Sequence, residues 1–163
     1  MNEIMRIEFK EFQKTNTLHI VLDEEDEVLV FSDTHFGLKI GNKRAFNISQ
    51  FKNLIRKIKN SKLFNIKTIV LLGDIIELWQ ASVTDILQDL YEVLYDLISI
   101  KADKVYVSGN HDRITTRLKL INDVSGTLYV EPDFIILQTK KGKKIMLIHG
   151  HQFDKLFSIT LSL

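Results

Sequence analysis

The sequence predicts an α/β layered domain in which helices cover a mixed sheet or sheets, and three observations carry that expectation. Four short apolar runs, at 28–31, 68–72, 104–107 and 145–148, have the length and β-branched content of buried strands. Two longer stretches between them repeat apolar residues at spacings of three and four, the period of a helix with one buried face. The chain has 163 residues, 45% of them hydrophobic and 26% charged, which suits one soluble domain with a substantial core. A single domain over 1–163 is therefore expected.

Taken in order, residues 4–22 alternate loosely through Ile7, Phe9, Leu18, Ile20 and Val21 and read as a hairpin or two short strands at a sheet edge. The acidic run 23–27 reads as a solvated loop. The first buried strand then runs into Asp33 and His35, and 39–47 is a polar loop with Gly41. A helix follows on Ile48, Phe51, Leu54, Ile55 and Ile58. The strand at 66–72 runs into Gly73-Asp74, and Ser82-Val-Thr-Asp85 forms a capping box if Asp stands in for Glu. The helix it opens has an expected inward stripe of Ile86, Leu87, Leu90, Val93, Leu94, Leu97 and Ile98. Glu77 and Trp79, just before it, read as structural. The third strand meets Gly109-Asn110-His111-Asp112, and 113–122 reads as a short helix. Strands at 128–130 and 134–139 follow, and Lys140-Lys-Gly-Lys143 is a hairpin turn with Gly142 supplying a positive φ. It hands the chain to the fourth strand and to His149-Gly150-His151.

Bulk properties exclude several classes of function. With 22 basic and 21 acidic side chains the net charge is +1, so nothing in the overall charge favours nucleic acid as a partner. The basic clusters at 52–62 and 140–144 read as solvated faces. Cysteine is absent, which removes disulfides and thiolate metal sites. The first residues carry acids and lack an apolar core segment, unlike a signal peptide, and no apolar run approaches a membrane span. A cytoplasmic location is the expectation.

The chemistry lies where the strands end. In open α/β sheets, ligands bind outside the carboxyl ends of the strands. Asp33, His35, Asp74, Asn110, His149 and His151 would gather there as hard oxygens and imidazoles, a set that suits Mn, Fe or Zn better than Ca or Mg. If the chain stays extended after Phe31, Asp33 and His35 leave on one face. A carboxylate such as Asp74 can bridge two ions. His111 would face the substrate and donate a proton to the departing alkoxide. Asp112 would orient its imidazole.

Asp33-x-His35, Gly73-Asp74, Gly109-Asn110-His111-Asp112 and His149-Gly150 together resemble the successive motifs of the calcineurin-like metallophosphoesterases, over about 28–154. Gly73-Asp-Ile-Ile-Glu77-x-Trp79 further resembles the subgroup that includes the UDP-2,3-diacylglucosamine pyrophosphohydrolases. The resemblance implies a two-layer β-sandwich flanked by helices and a dinuclear centre, with Mn²⁺ preferred over Fe or Zn. Asp33 and His35 would hold the first ion, Asp74 would bridge, and Asn110 and His149 would hold the second. His111, held by Asp112, would be the acid. The family pattern ends in a Gly-His-x-His motif that these residues lack, so the expected fold is a sandwich without its last strands, with His151 substituting in part. An uncovered edge of that kind favours a homo-oligomer. The implied activity is hydrolysis of a phosphate monoester, diester or pyrophosphate in a phosphorylated small molecule. A metal- or partner-binding domain weakened in catalysis is the alternative, and a nuclease the second alternative.

Overall fold

A strand that alternates large apolar residues can serve two cores at once, and the central sheet of this protein does so. The computed structural model describes residues 8–12, 15–61, 64–113, 121–123, 126–130 and 133–153. In chain order the elements are β1 (Glu8–Phe12), β2 (Thr15–Leu22), β3 (Glu27–Phe31), β4 (Lys39–Ile40), β5 (Lys43–Arg44), α1 (Ile48–Asn60), β6 (Ile66–Leu72), α2 (Val83–Ile98), β7 (Asp103–Val107), β8 (Ile121–Asp123), β9 (Gly126–Val130), β10 (Phe134–Thr139) and β11 (Lys144–Leu147). A 3-10 turn at His151–Phe153 follows.

The five-stranded sheet has the order β3-β6-β7-β9-β8, with the first four strands parallel. The four-stranded sheet has the order β1-β2-β10-β11, with β2 and β10 parallel and a hairpin at each side. Ile69 of β6 packs among Phe51 and Ile55 of α1 and Val93 and Leu97 of α2. Its neighbour Val70, with Val105 and Val107, points the other way onto Leu18, Ile20, Ile135 and Leu137. Successive side chains of a strand leave on opposite faces, so the same strands seal a helix–sheet core and a sheet–sheet core. The layered β-sandwich flanked by helices expected from the sequence is the fold observed.

Four local expectations change. The N-terminal hairpin forms, but β2 is an interior strand, with Leu18 and Ile20 fully buried between β1 and β10. The loop at 39–47 contains the two-residue hairpin of β4 and β5. Of the expected helix at 113–122, residues 114–120 lie outside the described residues, while Ile121–Asp123 is strand β8.

The fourth change concerns α2. Ser82 caps it as expected, its hydroxyl accepting from the Asp85 N–H at 3.1 Å. Ser82→Ala should destabilise the fold by about 1 kcal/mol, read as a drop of roughly 2–4 °C in a thermal melt. The inward stripe is only half right. Ile86, Val93 and Leu97 are buried, whereas Leu87, Leu94 and Ile98 are exposed. The helix is rolled so that Asp89 and Asp96 face inward. Arg44 meets Asp89 at 2.7 Å, Arg56 meets Asp96 at 2.8 Å, and the Gly37 N–H donates to Asp89 at 2.8 Å. Buried carboxylates without those partners would be costly, so the ion pairs dictate the roll.

Candidate metal centre

Parallel strands β3, β6 and β7 end at one edge, and their first loop residues bind each other through the backbone. The Asp33 N–H donates to Gly73 O at 3.1 Å, His35 N–H to Asp74 O at 2.9 Å, and Gly73 N–H to Val107 O at 2.7 Å. These bonds bend the chain away from the extended path expected after Phe31. Asp33, His35 and Asp74 adopt φ of 53°, 42° and 52°, in the left-handed region. L-residues there cost roughly 1–2 kcal/mol each, and such strain collects at functional sites. The residues of Asp33-x-His35 thus reach the site through two left-handed turns, and their side chains enter neighbouring clusters.

Asp33, Asp74 and His149 make the first cluster. His149 Nε2 stands 3.6 Å from Asp33 Oδ1 and 3.6 Å from Asp74 Oδ2. His35 Nε2 stands 3.9 Å from the same Asp74 oxygen. These separations are too long for hydrogen bonds and suit donors around shared ions, since metal–ligand bonds of about 2.0–2.2 Å place neighbouring donors roughly 3–4 Å apart. Carboxylates and imidazoles without thiolate are the donor set of Mn, Fe or Zn. Two glycines keep the space open. A Cβ on Gly73 would overlap the His149 ring, and one on Gly109 would overlap the Asp74 carboxylate.

Glu77 organises the second cluster, with His35 and His111. It is 1% exposed, and its carboxylate lies 3.0 Å from His35 Nδ1 and 2.9 Å from His111 Nδ1. It also accepts from the N–H groups of Trp79 and Gln80 at 3.0 and 3.2 Å. Burial pushes its pKa up, but the His111 hydrogen bond, the Trp79 N–H, the His111 charge and the His35 hydrogen bond outweigh it and hold the group below its usual value. An ionised carboxylate only accepts, so both imidazoles carry their proton on Nδ1 and keep Nε2 for other work. The His111 ring stacks on Trp79 at 4.1 Å, and its backbone N–H donates to Asp74 Oδ1 at 2.9 Å.

The expected role of Asp112 passes to Glu77. Asp112 is fully buried; Oδ2 accepts from Ile75 N–H and the Tyr106 hydroxyl, each at 2.7 Å, and Oδ1 from Gly109 N–H at 2.6 Å. It laces the loop after β6 to the loop after β7. The signal for Glu77 was present in Asp74-x-x-Glu77, but its partners lie 42 and 34 residues away in sequence.

Asn110 is half-buried between Gly109 and His111, whose N–H groups are held by Asp112 and Asp74. His151, expected as a substitute ligand, lies with its Nδ1 3.1 Å from Nδ1 of His149 and is outside both clusters. Burial, then the His149 charge, holds its pKa below the ordinary imidazole value.

A family model described as calcineurin-like phosphoesterase matches residues 27–163, the span that holds every one of these side chains. No curated protein and no solved structure matches the chain. The family match and the clustered ligand side chains agree, and the chain belongs to the calcineurin-like phosphoesterase family.

Proposed function

We propose that this protein hydrolyses a phosphate monoester, diester or pyrophosphate of a phosphorylated small molecule through a dinuclear metal centre. The placement of Asp74 between two imidazoles, 3.6 Å from His149 Nε2 and 3.9 Å from His35 Nε2, carries the reading. Asp33, His35, Asp74, Asn110 and His149 would hold two divalent ions, with Mn²⁺ preferred over Fe or Zn for this oxygen and nitrogen set. Bound ions of this kind polarise phosphoryl oxygens and lower the pKa of a water from 15.7 towards roughly 7. A pyrophosphate bond stays among the candidates because Gly73-Asp-Ile-Ile-Glu77-x-Trp79 resembles a pyrophosphohydrolase subgroup.

The chain's own contribution centres on His111. Glu77 fixes its Nδ1–H, so a second proton on Nε2 can pass to the departing alkoxide, and the buried negative charge stabilises the imidazolium. Trp79 covers one face of the ring and limits its rotation. A nuclease is less favoured, because the net charge of +1 offers no general attraction for a polyanion.

Calorimetric titration with Mn²⁺ tests the centre and should give two ions per chain. Hydrolysis of bis-p-nitrophenyl phosphate and p-nitrophenyl phosphate tests the chemistry. His111→Ala should keep the metal stoichiometry and lower kcat by about 10²–10⁴. Turnover without any divalent ion, or full turnover in His111→Ala, would sink the proposal.

A further inference from the structure

We propose that the outer face of α2, with the basic helix α1 beside it, docks on the surface of an anionic lipid bilayer. The observation is an apolar helix face that the core leaves exposed. Val83, Leu87, Tyr91, Leu94, Tyr95 and Ile98 are 67, 59, 85, 45, 72 and 43% exposed. At 3.6 residues per turn they fall within an arc of roughly 120°, centred about 120° around the helix from the side that buries Ile86, Val93 and Leu97. The apolar part of the helix is therefore wider than the core covers, and its outer flank is left to another surface. The 16 residues of α2 make the stripe about 24 Å long.

Charge decides what kind of cover fits. The neighbouring helix α1 has no acidic residue, and it sets Lys52, Arg56 and Lys59 beside the stripe. Lys59 Nζ stands 5.6 Å over the ring of Tyr95. Lys52 and Arg56 line one groove, of about 400 Å³, with Tyr91, Leu94, Tyr95 and Ile98. Two carboxylates of α2 are engaged away from these cations, Asp85 by Lys39 and Asp89 by Arg44, while Asp96 pairs with Arg56 itself. Lys52 and Lys57 form no ion pair with the described residues. An apolar stripe with tyrosines, rimmed by cations, matches the boundary between headgroups and acyl chains, where anionic lipids meet Lys and Arg. A second copy would instead bring its own Lys52 and Lys59 as like charges to the seam. No helix among the described residues is long and apolar enough to cross a membrane, so the contact is one of lying on the surface.

Co-sedimentation with sucrose-loaded vesicles tests this, using phosphatidylcholine alone or with one third phosphatidylglycerol. The full chain should partition onto the anionic vesicles at least tenfold better than onto the neutral ones, and high salt should reverse this. Leu87→Glu with Tyr91→Glu should remove binding to both vesicle types. Lys52→Glu with Lys59→Glu should remove only the preference for anionic lipid, about fivefold per charge. All four side chains lie on the surface or half-buried, so melts and Mn²⁺ binding should stay as in the wild type, which separates this test from the hydrolase reading. Equal binding to both vesicle types, or none, overturns the proposal. So does a dimer in sedimentation equilibrium that Leu87→Glu with Tyr91→Glu dissociates, without vesicle binding, since the face then belongs to a second copy.

Discussion

Asp74→Asn should reduce metal-dependent turnover by at least about a thousandfold, roughly 4 kcal/mol of barrier, while leaving the fold intact. The two oxygens of Asp74 do different work. Oδ1 accepts the His111 backbone N–H at 2.9 Å, and Oδ2 faces the Nε2 atoms of His35 and His149. An asparagine can keep its carbonyl on the His111 N–H, which preserves the loop. Its amide nitrogen would then point at the imidazoles, where it neither ligates an ion nor carries the negative charge that holds one. Calorimetry should show the loss as weakened Mn²⁺ binding, and a thermal melt without metal should move by only a few degrees. Turnover within tenfold of the wild type would remove Asp74 from the centre. Gly109→Ala attacks the same carboxylate from behind. Its Cβ would stand 2.5 Å from the Asp74 backbone N, so this variant should lose stability and metal binding together.

The second large effect is expected at Glu77. Glu77→Gln keeps the volume and replaces one of the two acceptor oxygens with a donor. That amide would face an Nδ1–H and force one imidazole to move its proton to Nε2. If the ring is His35, the lone pair that faces the centre is lost; if it is His111, the acid is misaligned. A fall of about 10²–10³ in kcat is expected, with Mn²⁺ affinity weakened roughly 10–100-fold. Asp112→Asn supplies the contrast. Its buried carboxylate ties three donors between two loops, and an amide cannot accept all three, so its loss should appear first in the melt, by about 1–3 kcal/mol. Should Asp112→Asn depress kcat with an unchanged melt, and Glu77→Gln do the reverse, the two roles would have to be exchanged. The pH dependence of stability follows the same carboxylate. Glu77 is held below its ordinary value of 4.5, so its contribution is present above that value. It disappears only as pH falls through the lower folded value.

By itself the sequence determined the two long helices, the four strands that carry the candidate ligands and the edge at which those strands end. Short β-branched runs that break into Gly, Asp, Asn or His read as strands delivering side chains to a rim, because the strand period and the turn residues are local properties. The same holds for Ser82, whose cap is set by residues within one turn, and for Gly142, whose φ of 86° belongs to its own hairpin. Asp33, His35, Asp74, His111 and His149 were legible for that reason.

Only the tertiary structure decided how those residues divide the work. The left-handed φ of Asp33, His35 and Asp74 come from hydrogen bonds between loops about 40 residues apart, which no local pattern encodes. Glu77 looked like a helix-start residue until the register of β3, β6 and β7 brought His35 and His111 to its two oxygens. The outward face of α2 has the same origin. Periodicity put Leu87, Leu94 and Ile98 in one inward stripe with Ile86, Val93 and Leu97, and the ion pairs of Asp89 and Asp96 accompany the roll that left the first three outside. Local residue type sets what a side chain can do; the parallel register and the buried charges set which partner it does it with.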